Sequence, residues 1–178
     1  MEALAADPAA DQTDPVPEVV ERPGRTGEFA DFYRSHLGKV YRALALTLGN
    51  DDLAREAADE AMTRAYANWG RVSGLDNPGG WVFRVGLNWA TSWWRKARRE
   101  QVRLDDWLHP RTAGPDPVAL AARAAVERLP LKQRGVVVCR VLLELSTAET
   151  AATLGISEGT VKSRLSRALT TLRQALEE

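Results

Sequence analysis

Ser157, Glu158, Lys162, Ser163, Arg164 and Arg167 all fall within "LGISEGTVKSRLSRAL", residues 154–169. Hydroxyl, carboxylate and cationic groups at that spacing suit hydrogen bonding to base edges and phosphates. A second set mixes aromatic rings with cations: Trp81, Trp89, Trp93 and Trp94 share one stretch with Arg84, Arg95, Lys96, Arg98 and Arg99. Such a mixture suits unpaired bases, each stacked base contributing about 1–3 kcal/mol while cations follow the backbone. A third set is acidic, with Asp51, Asp52, Glu56, Asp59 and Glu60 beside Arg55 and Arg64. Adjacent carboxylates on a helix point about 100° apart and no nucleophile or histidine accompanies them, so a protein-binding face is expected rather than acid–base catalysis. His36 and His109 lie in different parts of the chain. No metal-ligand spacing or phosphate-cradling glycine loop is present in the sequence, and no cofactor is expected.

Helices must position these groups. Ser157 is placed to cap a helix opening at Glu158, and Gly155 to end the helix before it. Val161, Leu165, Ala168, Leu172 and Leu176 recur at three- and four-residue spacing, giving one apolar stripe. Lys162, Ser163, Ser166, Arg167 and Thr170 fall off that stripe, with Arg164 at its edge. Upstream, "STAETAATLG" is a shorter helix in which Ser146 and Glu149 make a capping box. Ala148, Ala151, Ala152 and Leu154 give it a face that a second helix can approach closely. Two short helices around one glycine form a helix-turn-helix, whose second helix enters the major groove. A plain hairpin with solvated cations is the competing reading. It does not explain why caps, a tight first helix and a basic second helix occur together.

In the aromatic stretch, Trp81 and Trp89 are expected in the core. Trp93 and Trp94 are adjacent and cannot both face inward on a helix. The alternative is a core helix with a solvated basic tail.

The chain has 178 residues, 44% of them hydrophobic, enough for one domain or two small ones. Its zero net charge conceals an uneven distribution. Residues 1–28 carry two basic and seven acidic groups, 29–103 twelve and eight, 104–125 two and three, and 126–178 eight and six. Residues 1–28, rich in Pro, Ala and Asp, are expected to form a disordered acidic tail. They lack a basic n-region and an apolar h-region, and nothing approaches 18 consecutive apolar residues, so neither signal peptide nor membrane insertion is expected. Cys139, the single cysteine, reads as a buried thiol in a reducing cytoplasm.

The expected fold is all-α, with two small helical domains joined by a flexible linker. Residues 29–103 read as a three-helix bundle: "FADFYRSHLGKVYRALALTLG" stops at Gly49, and "DDLAREAADEAMTRAYANWG" runs from an Asp cap to Gly70. The loop "RVSGLDNPGG" follows, then a third helix from Trp81. Residues 104–125 read as a linker with one helical turn near its end, and residues 126–178 as the helix-turn-helix domain, starting near Pro130 with an apolar helix through Val136 to Leu143.

"AREAADEAMTRAYANW", "PGGWVFRVGLNWATSWWRKARR" and "LPLKQRGVVVCRVLLELSTAETAATLGISEGTVKSRLSRALTTLR" together resemble the extracytoplasmic-function (ECF) bacterial sigma factors, which pair a region 2 with a region 4. The likeness runs from Phe29 to Leu176. It implies a sigma factor that binds core RNA polymerase through the β′ clamp helices and β flap and directs promoter-specific initiation. Region 4 would read the −35 element with Glu158, Lys162, Ser163 and Arg167, while Ser157 and Arg164 hold phosphates. Region 2 would bind and melt the −10 element, with the loop Ser73 to Gly80 capturing a flipped base, through Asn77, Trp81, Arg84, Asn88, Arg95 and Arg98. Asp59, Glu60, Thr63 and Arg64 would meet polymerase, and an anti-sigma factor would hold the chain inactive. Four positions depart from the family pattern: Asp59 replaces a usual glutamine, Ser92 a frequent aspartate, Glu144 a helix-ending glycine and Thr150 an apolar core residue. Gly135 interrupts the first region 4 helix at a cost of up to about 1 kcal/mol. The alternative function is a stand-alone helix-turn-helix repressor or activator, usually dimeric on two half-sites. An enzyme would need a catalytic constellation that the sequence lacks.

Overall fold

The computed structural model describes residues 23–99 and 117–177, and within them the regular structure is helical throughout. Most of the acidic tail, the first part of the linker and His109 lie outside the described residues. The first module holds α1 (Pro23–Leu48), α2 (Asp51–Ala67), α3 (Trp69–Val72) and α4 (Pro78–Arg99). The second holds α5 (Pro117–Arg128), α6 (Leu131–Val137), which continues as a π turn (Val138–Leu142), then α7 (Thr147–Leu154) and α8 (Glu158–Glu177).

Several expected boundaries move. α1 begins at Pro23, inside the stretch read as tail, because proline is well tolerated in a first helical turn. The cap of α2 is Asn50 rather than an aspartate: its side chain accepts from the Leu53 N–H at 2.8 Å, leaving Asp51 and Asp52 to complement the first turn. Gly70 does not end the helical run. It lies inside α3, where Trp69 is buried and meets Phe29 edge-to-face and Phe32 at a tilt, at centroid distances of 5.3 and 4.9 Å. α4 starts at Pro78 rather than Trp81, capped by Asn77, whose Oδ1 accepts from the Gly80 N–H at 2.7 Å. α5 occupies residues 117–128, so the second half of the expected linker is helix, not one turn.

The core of the first module is built from Val40, Leu44, Ala57, Ala61, Met62, Val82 and Phe83. α4 can lie this close to α2 because Gly86 is a glycine: a Cβ there would stand 2.9 Å from both the Ala57 carbonyl oxygen and Leu44 Cδ1. Of the tryptophans, Trp81, Trp89 and Trp93 are half-buried against the core and Trp94 is exposed, as adjacency on one helix requires.

This core does not stop at the module boundary. Val138, Cys139 and Leu145 belong to the same apolar cluster, because the π turn, α5 and α6 pack on α1. Ala43 and Thr47 of α1 are buried as well. Burial pushes the Cys139 thiol up to about 12, so it stays protonated and inert. At the other end of this contact, Arg123 of α5 donates to Asp51 of α2 at 2.6 Å and to Glu127 at 3.0 Å. Burial works against its charge, yet those bonds leave its pKa raised.

Candidate nucleic-acid interface

Local chemistry fixes the helix-turn-helix. Ser146 Oγ accepts from the Glu149 N–H at 3.1 Å and the Ser146 N–H donates to Glu149 Oε2 at 2.7 Å, completing the expected capping box of α7. Those bonds, with one from Asn77, hold the Glu149 carboxyl below the usual carboxylate range. Their contribution is therefore present above the ordinary carboxylate pKa and is lost as the pH falls through the lowered one. α7 ends at Gly155 with φ 64°, where the Ile156 N–H reaches back to the Ala151 carbonyl at 3.1 Å. Ser157 then caps α8 by accepting from the Thr160 N–H at 3.2 Å.

The apolar stripe of α8 turns inward. Val161 and Ala168 are fully buried, and Leu165 and Leu172 pack against clusters that include Leu129, Val136 and Val137. The opposite face is left open: Ser157, Glu158, Lys162, Ser163 and Arg167 are exposed and Arg164 is half-buried at the edge. All six expected residues therefore share the outer side of one capped helix.

Two departures from the family pattern have visible structural costs. Glu144 sits between the π turn and α7 at φ 58°, the left-handed conformation for which a glycine is better suited. Thr150 is fully buried and its Oγ1 meets no hydrogen-bond partner among the described residues. Thr150→Val is expected to stabilise the protein by about 1 kcal/mol, because it removes an unsatisfied hydroxyl at nearly constant shape. A higher urea midpoint with an unchanged m-value checks this; a lower midpoint refutes it.

On α4, Trp81, Arg84, Asn88 and Arg95 recur at helical spacing along one side, with Arg98 on the same helix. Asn88 and Arg95 are exposed, while Trp81 and Arg84 are half-buried. Arg95 donates to the Thr91 carbonyl at 3.3 Å. Asn77 stands at the head of this row, its carboxamide bonded both to Gly80 and to Glu149 at 3.3 Å. On α2, Asp59, Thr63 and Arg64 are exposed and Glu60 half-buried, joined by a 2.8 Å Glu60–Arg64 ion pair and a Thr63 hydroxyl bonded to the Asp59 carbonyl. The four form one continuous patch. Among the described residues, no group of three or more His, Cys, Asp or Glu side chains could hold a metal ion, and no helix is long and apolar enough to cross a membrane.

Sequence reasoning missed the contact between the two sets. Arg84 Nη1 donates to the Ala152 carbonyl at 3.2 Å, at the negative end of α7, and Asn77 bonds Glu149. These contacts join residues 68 and 72 positions apart, which no local periodicity reveals. The only available hint was the paired glycine in "NPGGW", which lets another element come close.

A helix-turn-helix module with an open basic face, joined to a helical bundle with an aromatic and cationic helix, defines a two-module nucleic-acid-binding protein. Residues 32–100 match the Sigma-70 region 2 family and residues 119–172 the Sigma-70 region 4 family. The chain is 34% identical over 158 residues to the RNA polymerase sigma-E factor of Streptomyces avermitilis, covering 86% of this chain and 88% of that one. It is 32% identical over 151 residues to the ECF RNA polymerase sigma factor SigM of Mycobacterium tuberculosis, covering 83% and 76%. Its fold is similar to that of the sigma factor RpoE of Bartonella quintana, solved with the anti-sigma factor NepR, at a TM-score of 0.71 and 24% identity over 84% of this chain and 97% of that one. The chain belongs to the ECF sigma factors, pairing region 2 with region 4.

Proposed function

We propose that this sigma factor binds core RNA polymerase through the α2 patch of Asp59, Glu60, Thr63 and Arg64 and carries it to promoters chosen by its two DNA-facing helices. α8 reads the −35 element through Glu158, Lys162, Ser163 and Arg167, with Ser157 and Arg164 on phosphates. The α4 row of Trp81, Arg84, Asn88, Arg95 and Arg98, with Asn77, takes the −10 strand once it is unpaired. The single observation that carries this reading is the open polar face of the capped α8 helix in a chain whose modules both match sigma regions. The protein acts in the cytoplasm as a non-enzymatic initiation factor and is held in check by an anti-sigma factor. Similarity of fold to sigma factors solved with such inhibitors, RpoE with NepR and CnrH with the cytosolic domain of CnrY (TM-score 0.57, 23% identity), supports that last element.

Titrating the full chain into bacterial core polymerase, then running off transcripts from pooled promoter fragments, tests the reading. Stable association with new transcripts is expected, and both should be lost in Asp59→Ala/Glu60→Ala. Tight, symmetric binding to duplex DNA with no polymerase association would replace it with a stand-alone regulator.

A further inference from the structure

We infer that His36 of α1 is a base-selecting residue of the −10 face: with Asn77 it forms a pair of acceptors that take the exocyclic amine of an unpaired adenine or cytosine and refuse thymine and guanine. The inference deepens the proposed function and rests on its reading of Asn77 and α4 as the −10 face.

The imidazole is held from three sides. It stacks on the buried Phe32 ring at a centroid distance of 4.2 Å and an interplanar angle of 20°. Its Nδ1 lies 3.1 Å from the Phe32 carbonyl oxygen. Its Cδ2–Nε2 edge faces the start of α4, where a Cβ on Gly79 would stand 3.1 Å from Cδ2 and 3.7 Å from Nε2. The contact with Phe32 fixes the tautomer. A carbonyl oxygen only accepts, so Nδ1 carries the proton and donates to it. The Ser35 hydroxyl, 2.8 Å from Nδ1, has the Asp31 carbonyl at 2.8 Å for its own proton. A neutral imidazole protonated on Nδ1 keeps a lone pair on Nε2. Both hydrogen bonds of the ring are made at Nδ1, so among the described residues that lone pair meets no donor.

The second acceptor comes from the loop before α4. Asn77 Oδ1 would stand 3.6 Å from the same Cβ, so Nε2 and Oδ1 border one notch that a glycine at position 79 leaves open. Asn77 Oδ1 accepts from the Gly80 N–H at 2.7 Å and retains a second lone pair. An amine entering the notch has two hydrogens, one for each acceptor, whereas a carbonyl oxygen would set lone pair against lone pair. Adenine N6 and cytosine N4 are such amines, while guanine O6 and thymine O4 are carbonyls at the equivalent place. Because His36 and Asn77 are both half-buried, a base that leaves their acceptors unpaired is rejected more strongly than in open solvent. The notch lies on the α1 side of α4. Gly80, about 100° further round the helix, is the glycine that meets α7, where a Cβ would stand 3.0 Å from Thr153 Oγ1. Residues Ser73 to Asp76 of the loop are exposed beside it.

The test uses holoenzyme assembled from the full chain and core polymerase, bound to a promoter recovered from the run-off pool and built as a fork with a single-stranded −10 segment. Each adenine of that segment is replaced in turn by nebularine and each cytosine by 2-pyrimidinone, bases that lack only the amine. In the parent, one position is expected to lose about tenfold in affinity, the scale of a base-edge contact. His36→Phe keeps a ring on Phe32 but has no acceptor, and Gly79→Ala fills the notch with a methyl group. In both variants the same replacement should change affinity by no more than about twofold, because the partner of the amine is already gone. If neither variant lessens the loss, or if no amine matters to the parent, the inference is overturned and the sigma reading stands. A chain that does not assemble with core polymerase removes the sigma reading, and the inference with it.

Discussion

Arg167→Ala is expected to relax −35 discrimination by about five- to 150-fold, the loss of roughly 1–3 kcal/mol that one good side-chain-to-base contact supplies. Arg167 is exposed two turns into α8, on the side away from Val161 and Ala168, so its truncation removes no packing. Arg164 on the same helix gives the internal contrast. It is half-buried at the edge of the apolar stripe, and the proposed function gives its guanidinium a phosphate rather than a base edge. Arg164→Ala should weaken all duplexes alike and reduce the slope of log affinity against log salt by about one. Competition binding across a library of −35 sequences, read at two salt concentrations, separates the patterns. Equal promoter preference for Arg167→Ala and the parent would remove Arg167 from the reading set.

Those two arginines were legible in the sequence because everything that aims them is local. The capping box at Ser146 and Glu149, the left-handed Gly155 and the Ser157 cap each act over three or four residues, and the stripe through Val161 and Ala168 needs only the helical period. The α4 row was legible as a row but not as a covered one. Arg84 and Asn77 carry nothing in their own neighbourhood that points to α7, and their partners come from the other module. The same gap explains α1. The structure packs it against α2 and α4 and also against α5, α6 and the π turn, burying Ala43 and Thr47, and these partners are too far along the chain for local periodicity to reveal. Boundaries shifted where a tertiary contact outweighed a local signal: Gly70 reads as a stop, but the burial of Trp69 and Val72 keeps the chain helical around it. Glu144 is the reverse case. Comparison with the family's usual glycine marked the site, and its φ of 58° shows why glycine suits it.

The most damaging single change is expected at Gly86, a buried residue in the packing of α4 on α2. An alanine elsewhere in a helix would gain up to about 1 kcal/mol over glycine. Here its Cβ would meet the Ala57 carbonyl oxygen and Leu44 Cδ1, both at 2.9 Å, and Ala57 and Leu44 are fully buried. The leucine methyl can rotate, but the carbonyl belongs to the backbone of α2 and cannot yield without moving that helix. Overpacking of this kind costs about 1–3 kcal/mol, so strain outweighs propensity and Gly86→Ala should destabilise by about 1–2 kcal/mol net. Gly86→Val adds a branched carbon with restricted χ1 to the same gap and should lose about 3 kcal/mol or more, a large part of the 5–15 kcal/mol that holds a typical domain. Urea unfolding should show the order parent, alanine, valine, and a midpoint for Gly86→Ala above the parent's would refute the close packing of α4 on α2. The consequence reaches function because Trp81, Arg84, Asn88 and Arg95 are positioned by α4 alone. Pushing α4 away from α2 displaces the whole row relative to the α2 patch proposed to meet polymerase, so on the proposed function −10 engagement should fail in Gly86→Val even at temperatures where region 4 still binds its duplex.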